Sequence, residues 1–116
     1  MKIRIKDNSV RFRLTRSEVA ELGTSGILTQ VTEFASNIFK YSVMVKDVEE
    51  LLADFVENNI ILYMPKSMVD ALVNTGKVGF SGQAGAVKLL IEKDFVCIDN
   101  TDEDQSDQYP NPKMTC

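Results

Sequence analysis

The stretch KIRIKDNSVRFRL, residues 2–14, decides the fold of this chain. Apolar and polar residues alternate strictly on both sides of Asp7-Asn8, which is the repeat of a β-strand with one buried face. Asp7-Asn8 is a pair typical of a tight turn. The stretch therefore predicts a β-hairpin with an apolar face and a basic face. The expected core residues are Ile3, Ile5, Val10, Phe12 and Leu14. The basic residues are Lys2, Arg4, Lys6, Arg11 and Arg13.

A short helix is expected directly after this hairpin. Thr15-Arg16-Ser17-Glu18 has the spacing of a capping box, in which Thr15 accepts from the Glu18 amide and the Glu18 side chain bonds back to Thr15. Gly23 is placed to end the helix, because glycine readily adopts the left-handed conformation of a helix stop.

The rest of the chain indicates further strands and a second helix. Strands are expected at 27–34 and 38–46, and the apolar run 86–93 indicates a strand in the centre of a sheet. Pro65 suits the first turn of the second helix. Residues 48–57 fit two structures, a helix or the first strand of a hairpin that turns at Asn58-Asn59. No long internal repeat is visible.

These elements predict an α+β fold. We expect a mainly antiparallel sheet of about seven or eight strands with two short helices, a sheet that can curl toward a half-barrel. The length of 116 residues fits one domain. Residues 1–98 are expected to form it, with residues 99–116 as an acidic C-terminal tail packed on the same domain.

Composition excludes several classes of function. The chain has no histidine, so Ser-His triads and histidine-containing zinc sites are excluded. The net charge of −4 disfavours a nucleic-acid partner. We expect no membrane association and a cytoplasmic location, because no apolar run is long enough for a membrane span or a signal peptide.

The charge of the chain is segregated toward its two ends. Residues 1–16 carry six basic side chains against Asp7 alone. We expect some of the tail acids to lie near Arg4, Arg11 or Arg13, with Tyr109 as the anchor of the tail. The tail acids in question are Asp99, Asp102, Glu103, Asp104 and Asp107.

Two further patterns match no established site. Asp102, Asp104 and Asp107 resemble the start of a calcium loop, but the required glycine and the final glutamate are missing, so no metal site is predicted. Four glycines are spaced by three residues, without the dinucleotide or P-loop motif. They are expected as a helix stop, a bulged strand and a hairpin turn. These glycines are Gly76, Gly79, Gly82 and Gly85.

Three segments resemble a family of small bacterial proteins known only as a domain of unknown function. They are KIRIKDNSVRFRLT at 2–15, EKDFVC at 92–97 and DQYPNP at 107–112. The resemblance spans nearly the whole chain. It implies a one-domain cytoplasmic protein, and it brings no activity, cofactor or site residue.

The sequence favours a small cytoplasmic binding or protein-interaction module without catalysis and without a cofactor. Its partner is expected to be a protein or a small anionic ligand, and the chain a monomer or a small homo-oligomer. The alternative is an anion- or phosphate-binding enzyme or sensor that uses the basic hairpin face, since arginines on neighbouring strands grip phosphate or carboxylate in bidentate fashion. A solvated or internally neutralised face is the competing interpretation.

Overall fold

The computed structural model describes residues 1–95, Asp107 and Tyr109. In these residues the chain forms eight strands and two helices, which confirms the predicted α+β class. The strands are β1 (Lys2–Lys6), β2 (Ser9–Leu14), β3 (Ile27–Glu33), β4 (Ile38–Val45), β5 (Leu52–Val56), β6 (Asn59–Met64), β7 (Gly79–Ala84) and β8 (Val87–Lys93). The helices are α1 (Arg16–Ser25) and α2 (Lys66–Asn74).

The strands form two sheets rather than one. Sheet A has the order β1-β2-β8-β7, and sheet B has the order β3-β4-β6-β5. The pairs β2–β8 and β4–β6 are parallel, whereas the other four pairs are antiparallel. The predicted single sheet with a half-barrel curl is therefore corrected to two mixed sheets, which do not close into a barrel within the described residues. The parallel pairs join strands that do not follow one another in the sequence, so local alternation could not reveal them.

Contrary to the expectation of no repeat, the chain contains two similar halves. Each half has the order strand, strand, helix, strand, strand, over residues 2–45 and 52–93. From the first hairpin through the helix, the halves align with a constant shift of 50 positions, so that Phe12 corresponds to Leu62 and Val19 to Val69. The halves share the pattern of buried positions but few identical residues, which is why the repeat is not visible in the sequence.

The two halves exchange hairpins. Sheet A combines β1 and β2 of the first half with β7 and β8 of the second, and sheet B combines the complementary four strands. The parallel pairs β2–β8 and β4–β6 connect the two halves, and each is extended by an equivalent backbone hydrogen bond. The Lys88 amide donates to Asn8 O at 2.7 Å, and the Lys40 amide donates to Asn58 O at 2.9 Å. Each sheet therefore needs both halves of the chain.

Tight turns with left-handed residues close the two N-terminal hairpins of the halves. Asp7 has φ 49°, and Glu57 and Asn58 have φ 51° and 62°. Such turns match the right-handed twist of the paired strands. The strand interpretation of residues 48–57 is thereby confirmed as β5, but the turn lies at Glu57-Asn58 and not at Asn58-Asn59, because Asn59 already belongs to β6.

The capping box of α1 is confirmed, and the predicted end of the helix is wrong. The Thr15 amide donates to Glu18 Oε1 at 2.9 Å, and Thr15 Oγ1 accepts from the Glu18 amide. The helix continues through Gly23 and ends at Gly26, whose φ of 80° is the left-handed stop. The Gly26 amide donates to Leu22 O, which satisfies a carbonyl of the last turn.

Removal of the Thr15 cap should destabilise the protein measurably. Thr15→Ala leaves the Glu18 amide without its acceptor, and we expect a loss of about 1 kcal/mol in the free energy of unfolding, measured by urea denaturation. Thr24→Ala is the matched control, since this exposed threonine on the same helix only bonds back to Ala20 O. Its effect should stay within about 0.5 kcal/mol. Equal losses for the two variants would contradict the capping role.

Most of the predicted core residues of the first hairpin are buried, with one exception. Phe12 and Leu14 are 0% and 1% exposed, and Ile3 and Val10 are half-buried against the same core. Ile5 is 53% exposed, so its predicted core position is wrong. Ile5 lies near the hairpin tip, remote from the helices, where the two sheets leave an apolar cleft of about 480 Å³.

The C-terminal hairpin confirms one strand prediction and corrects another. β8 lies between β2 and β7, which is the predicted central position. Gly85, with φ 60°, forms the hairpin turn. Gly79 and Gly82 do not mark a bulge, because β7 pairs with β8 in regular register over its whole length.

Candidate anion-binding face

The five basic residues predicted to share one face lie on the outer side of sheet A. They alternate with Ile3, Val10 and Phe12, which pack on the core. The parallel pairing of β2 with β8 places Lys88 beside Ser9 on the same side. We call this surface the basic face. Its cations are Lys2, Arg4, Lys6, Arg11, Arg13 and Lys88.

Strand register brings four of these cations together. Arg4 is directly opposite Arg11, and Lys2 is directly opposite Arg13. The four side chains, with Ile3, line a depression of about 180 Å³. Like charges placed directly across a sheet repel one another. The arrangement is therefore one that an anion bound in the depression would stabilise.

Two acidic residues at the end of β8 neutralise part of this charge. Glu92 Oε1 is 3.4 Å from Arg11 Nε and 3.3 Å from Arg13 Nε, so one carboxylate oxygen serves two guanidinium groups. Lys2 Nζ is 3.4 Å from Asp94 Oδ2. Within the described residues, Arg4, Lys6 and Lys88 have no ion-pair partner. Among the residues that the structure describes, the basic face therefore keeps a net positive charge.

Polar side chains extend the basic face toward β7. A groove of about 780 Å³ includes Arg11, Lys88, Ser9, Ser81 and Gln83 in its lining. Hydroxyl and amide groups beside cations supply further hydrogen bonds for an oxyanion. Sequence reasoning missed Lys88, Glu92, Ser81 and Gln83, because only the parallel pairing of β2 with β8 brings them beside the first hairpin.

The equivalent surface of sheet B shows that the fold itself does not require these charges. Leu52, Asp54 and Val56 of β5 occupy the positions of Lys2, Arg4 and Lys6, and in β6 Ile61 and Tyr63 occupy those of Arg11 and Arg13. The two sheets have the same strand arrangement, yet only sheet A carries a cluster of cations. The cluster is thus a property of the first hairpin and not of the architecture.

Asp107 lies at the N-terminus of α1. Its carbonyl oxygen accepts from the Arg16 amide at 3.0 Å, and its carboxylate accepts from the Ser17 amide at 3.2 Å and from the Ser17 hydroxyl at 2.5 Å. The Ser17 hydroxyl, followed by the Thr15 hydroxyl, lowers the pKa of Asp107 from its ordinary value. Asp107 thus contacts α1 instead of Arg4, Arg11 or Arg13, and the other four tail acids lie outside the described residues.

Tyr109 packs beside the end of β8. Its amide donates to Asp94 O at 2.8 Å, and its ring lies 5.8 Å from the Phe95 ring. Lys93 Nζ is 5.0 Å from the centre of the Tyr109 ring and donates to Thr75 O at 3.0 Å. Burial raises the pKa of Tyr109 and lowers the pKa of Lys93. The role of Tyr109 as a tail anchor stays a prediction.

The described residues show neither a metal cluster nor a membrane helix. No group of three or more cysteine, aspartate or glutamate side chains in them is arranged to hold a metal ion. Asp102 and Asp104 lie outside these residues, so the calcium-loop pattern is untested. No helix within residues 1–95 is long and apolar enough to cross a membrane.

Comparison with known proteins identifies a family. The model of a family of unknown function, DUF7009, matches residues 1–113, so the chain belongs to this family. The resemblance to a domain of unknown function expected from the sequence is thereby confirmed. No curated protein and no solved structure matches the chain.

Proposed function

We propose that this member of the family is a binding module whose basic face recognises a phosphate- or carboxylate-bearing partner. The observation that carries the proposal is the depression formed by Lys2, Arg4, Arg11 and Arg13. Arginine side chains form bidentate, charge-assisted hydrogen bonds with such groups. A bacterial source and a cytoplasmic location stay predictions from the sequence.

The internal repeat supports this proposal. A surface that serves only solubility typically carries interspersed charges of both signs. Here six cations share the outer side of sheet A with Glu92, whereas the matching side of sheet B mixes apolar and polar residues and has no such cluster of cations. Arg4 is exposed and, within the described residues, has no ion-pair partner, so an incoming anion meets it without breaking an existing ion pair.

Arg4→Asp should weaken anion binding strongly. The probe is inorganic tripolyphosphate, titrated calorimetrically into the wild-type chain and the variant at low salt. We expect the dissociation constant to rise about 10- to 100-fold, the range for the loss of charged hydrogen bonds. The fold should tolerate the variant, since Asp54 occupies the equivalent position of sheet B.

Lys66→Asp is the control, because it makes the same change of charge on α2, outside the basic face. Its dissociation constant should stay close to that of the wild-type chain. An acidic peptide, titrated in parallel, distinguishes a carboxylate partner from a phosphate partner. Failure of the wild-type chain to bind either probe would refute the proposal, and release of orthophosphate from tripolyphosphate would assign the chain to the enzyme class instead.

A further inference from the structure

The outer side of sheet B carries a continuous apolar row across all four strands. The register pairs Ile27 with Met44, Met44 with Tyr63, and Tyr63 with Leu52. Ile27 and Leu52, at the two edges, are each 42% exposed. We call this outer surface of sheet B the apolar face. Contiguous exposed apolar surface of this kind marks an interaction site.

The internal repeat again provides the comparison. In sheet A the equivalent row consists of Gly79, Glu92, Arg13 and Lys2. The same strand arrangement thus accepts charged side chains at these positions. The apolar row of sheet B is therefore not a requirement of the fold, and a partner that covers it accounts for its composition.

Two hydroxyl groups within the apolar face already have hydrogen-bond partners in the sheet. The Ser42 hydroxyl donates to Asn59 Oδ1 at 3.0 Å and lies 3.1 Å from Thr29 Oγ1. Burial of a polar group is costly mainly when it loses its hydrogen bonds to water without replacement. Because these bonds lie within the sheet, a partner can cover the Ser42 and Thr29 hydroxyl groups without leaving them unsatisfied.

Four charged side chains border the apolar row: Glu33 on β3, Lys40 on β4, Asp54 on β5, and Lys46 after β4, whose Nζ lies 4.4 Å from the centre of the Tyr63 ring. Two of them, Lys40 and Asp54, fit a second copy of the same face. Lys40 on β4 and Asp54 on β5 flank the central strand β6. Lys40 pairs in register with Asn59, and Asp54 pairs with Ile61, two residues further along β6. Consider a two-fold axis that lies in the interface and runs parallel to β6. It places β4 of each copy opposite β5 of the other copy. Lys40 then lies diagonally opposite Asp54 of the partner subunit.

We propose that the apolar face is the interface of a homodimer, with two copies packed face to face about an axis parallel to β6. Each interface of this symmetry contains every contact twice, so the Lys40–Asp54 attraction occurs once on each side of β6. Two sheets pack in this way with their strands roughly aligned. The inference is independent of anion binding, because the basic face lies on the other sheet.

The first test replaces two residues of the apolar row by the residue types that occupy the equivalent positions of sheet A. Sedimentation equilibrium should show a dimer for the wild-type chain at about 100 μM or below. The double variant Leu52→Lys and Tyr63→Arg should raise the dimer dissociation constant by about 100-fold or more, since it places like charges within the interface. Val78→Lys, at a residue that is 45% exposed outside both sheets, should leave the dimer unchanged.

The second test reverses the charge pair on exposed side chains that do not contribute to the core. Lys40→Asp and Asp54→Lys should each raise the dimer dissociation constant about tenfold, and the double variant should restore it. A wild-type chain that is monomeric at about 100 μM would overturn the proposal. So would a charge-reversed double variant that associates no better than the single variants.

Discussion

Phe12→Ala is expected to lower the free energy of unfolding by about 3–5 kcal/mol, the range for a fully buried phenylalanine. Phe12 is 0% exposed and lies on β2, between Ile3 of β1 and Ile91 of β8. Its truncation leaves a cavity at the join of the two halves, where neither half can relax without disturbing the other. Urea denaturation monitored by circular dichroism measures the loss.

Ile5→Ala is the matched control for Phe12→Ala. Ile5 lies on the same apolar side of the same hairpin but is 53% exposed, at the open cleft. Much less apolar area is buried there, so we expect a loss of about 1 kcal/mol or less. If the two alanine variants were equally destabilised, the assignment of Phe12 to the core and of Ile5 to the cleft would be incorrect.

Gly79→Ala is expected to lower the free energy of unfolding by about 1–3 kcal/mol, as overpacking does. A Cβ atom at Gly79 would lie 2.3 Å from Ile91 O and 2.9 Å from Glu92 Cα. Backbone atoms of β8 cannot move aside as the end of a side chain can, so the β7–β8 pairing must shift. The same shift displaces Glu92, whose carboxylate contacts Arg11 and Arg13, so anion binding should change as well.

Gly76→Ala provides the control for Gly79→Ala. A Cβ atom at Gly76 meets nothing within 4 Å, and the residue has no positive φ. Its stability should remain unchanged or rise by up to about 1 kcal/mol, because alanine restricts the unfolded chain. Thermal denaturation of the two variants side by side is sufficient, and a larger loss at Gly76 than at Gly79 would contradict the explanation by close contact.

Local structure could be predicted from the sequence because its causes are local. The alternation of residues 2–14 and the spacing from Thr15 to Glu18 depend on neighbours within a few positions, and the structure has the expected hairpin and capping box. The end of α1 was misplaced by three positions, since Gly23 and Gly26 both suit a helix stop. The packing of the helix, which local sequence does not reveal, determines which of the two glycines ends α1.

Sheet topology could not be predicted in the same way. The pairing of β2 with β8 joins residues such as Phe12 and Ile91, and nothing in the sequence marks them as partners. The same limit applies to the candidate site. The five basic residues of the first hairpin were found by alternation, whereas Glu92 and Lys88 belong to the site only because a parallel strand from the other half lies beside them.

The exchange of hairpins also sets the order in which the sheets become available during synthesis. All strands of sheet B end by Met64, so that sheet emerges from the ribosome before β7 and β8 of sheet A do. Until then β2 is an unpaired edge, and unpaired edges invite pairing with other nascent chains. Charged side chains on an edge discourage such association. We therefore expect Arg11 and Arg13 to discourage aggregation of the growing chain before β8 pairs with β2.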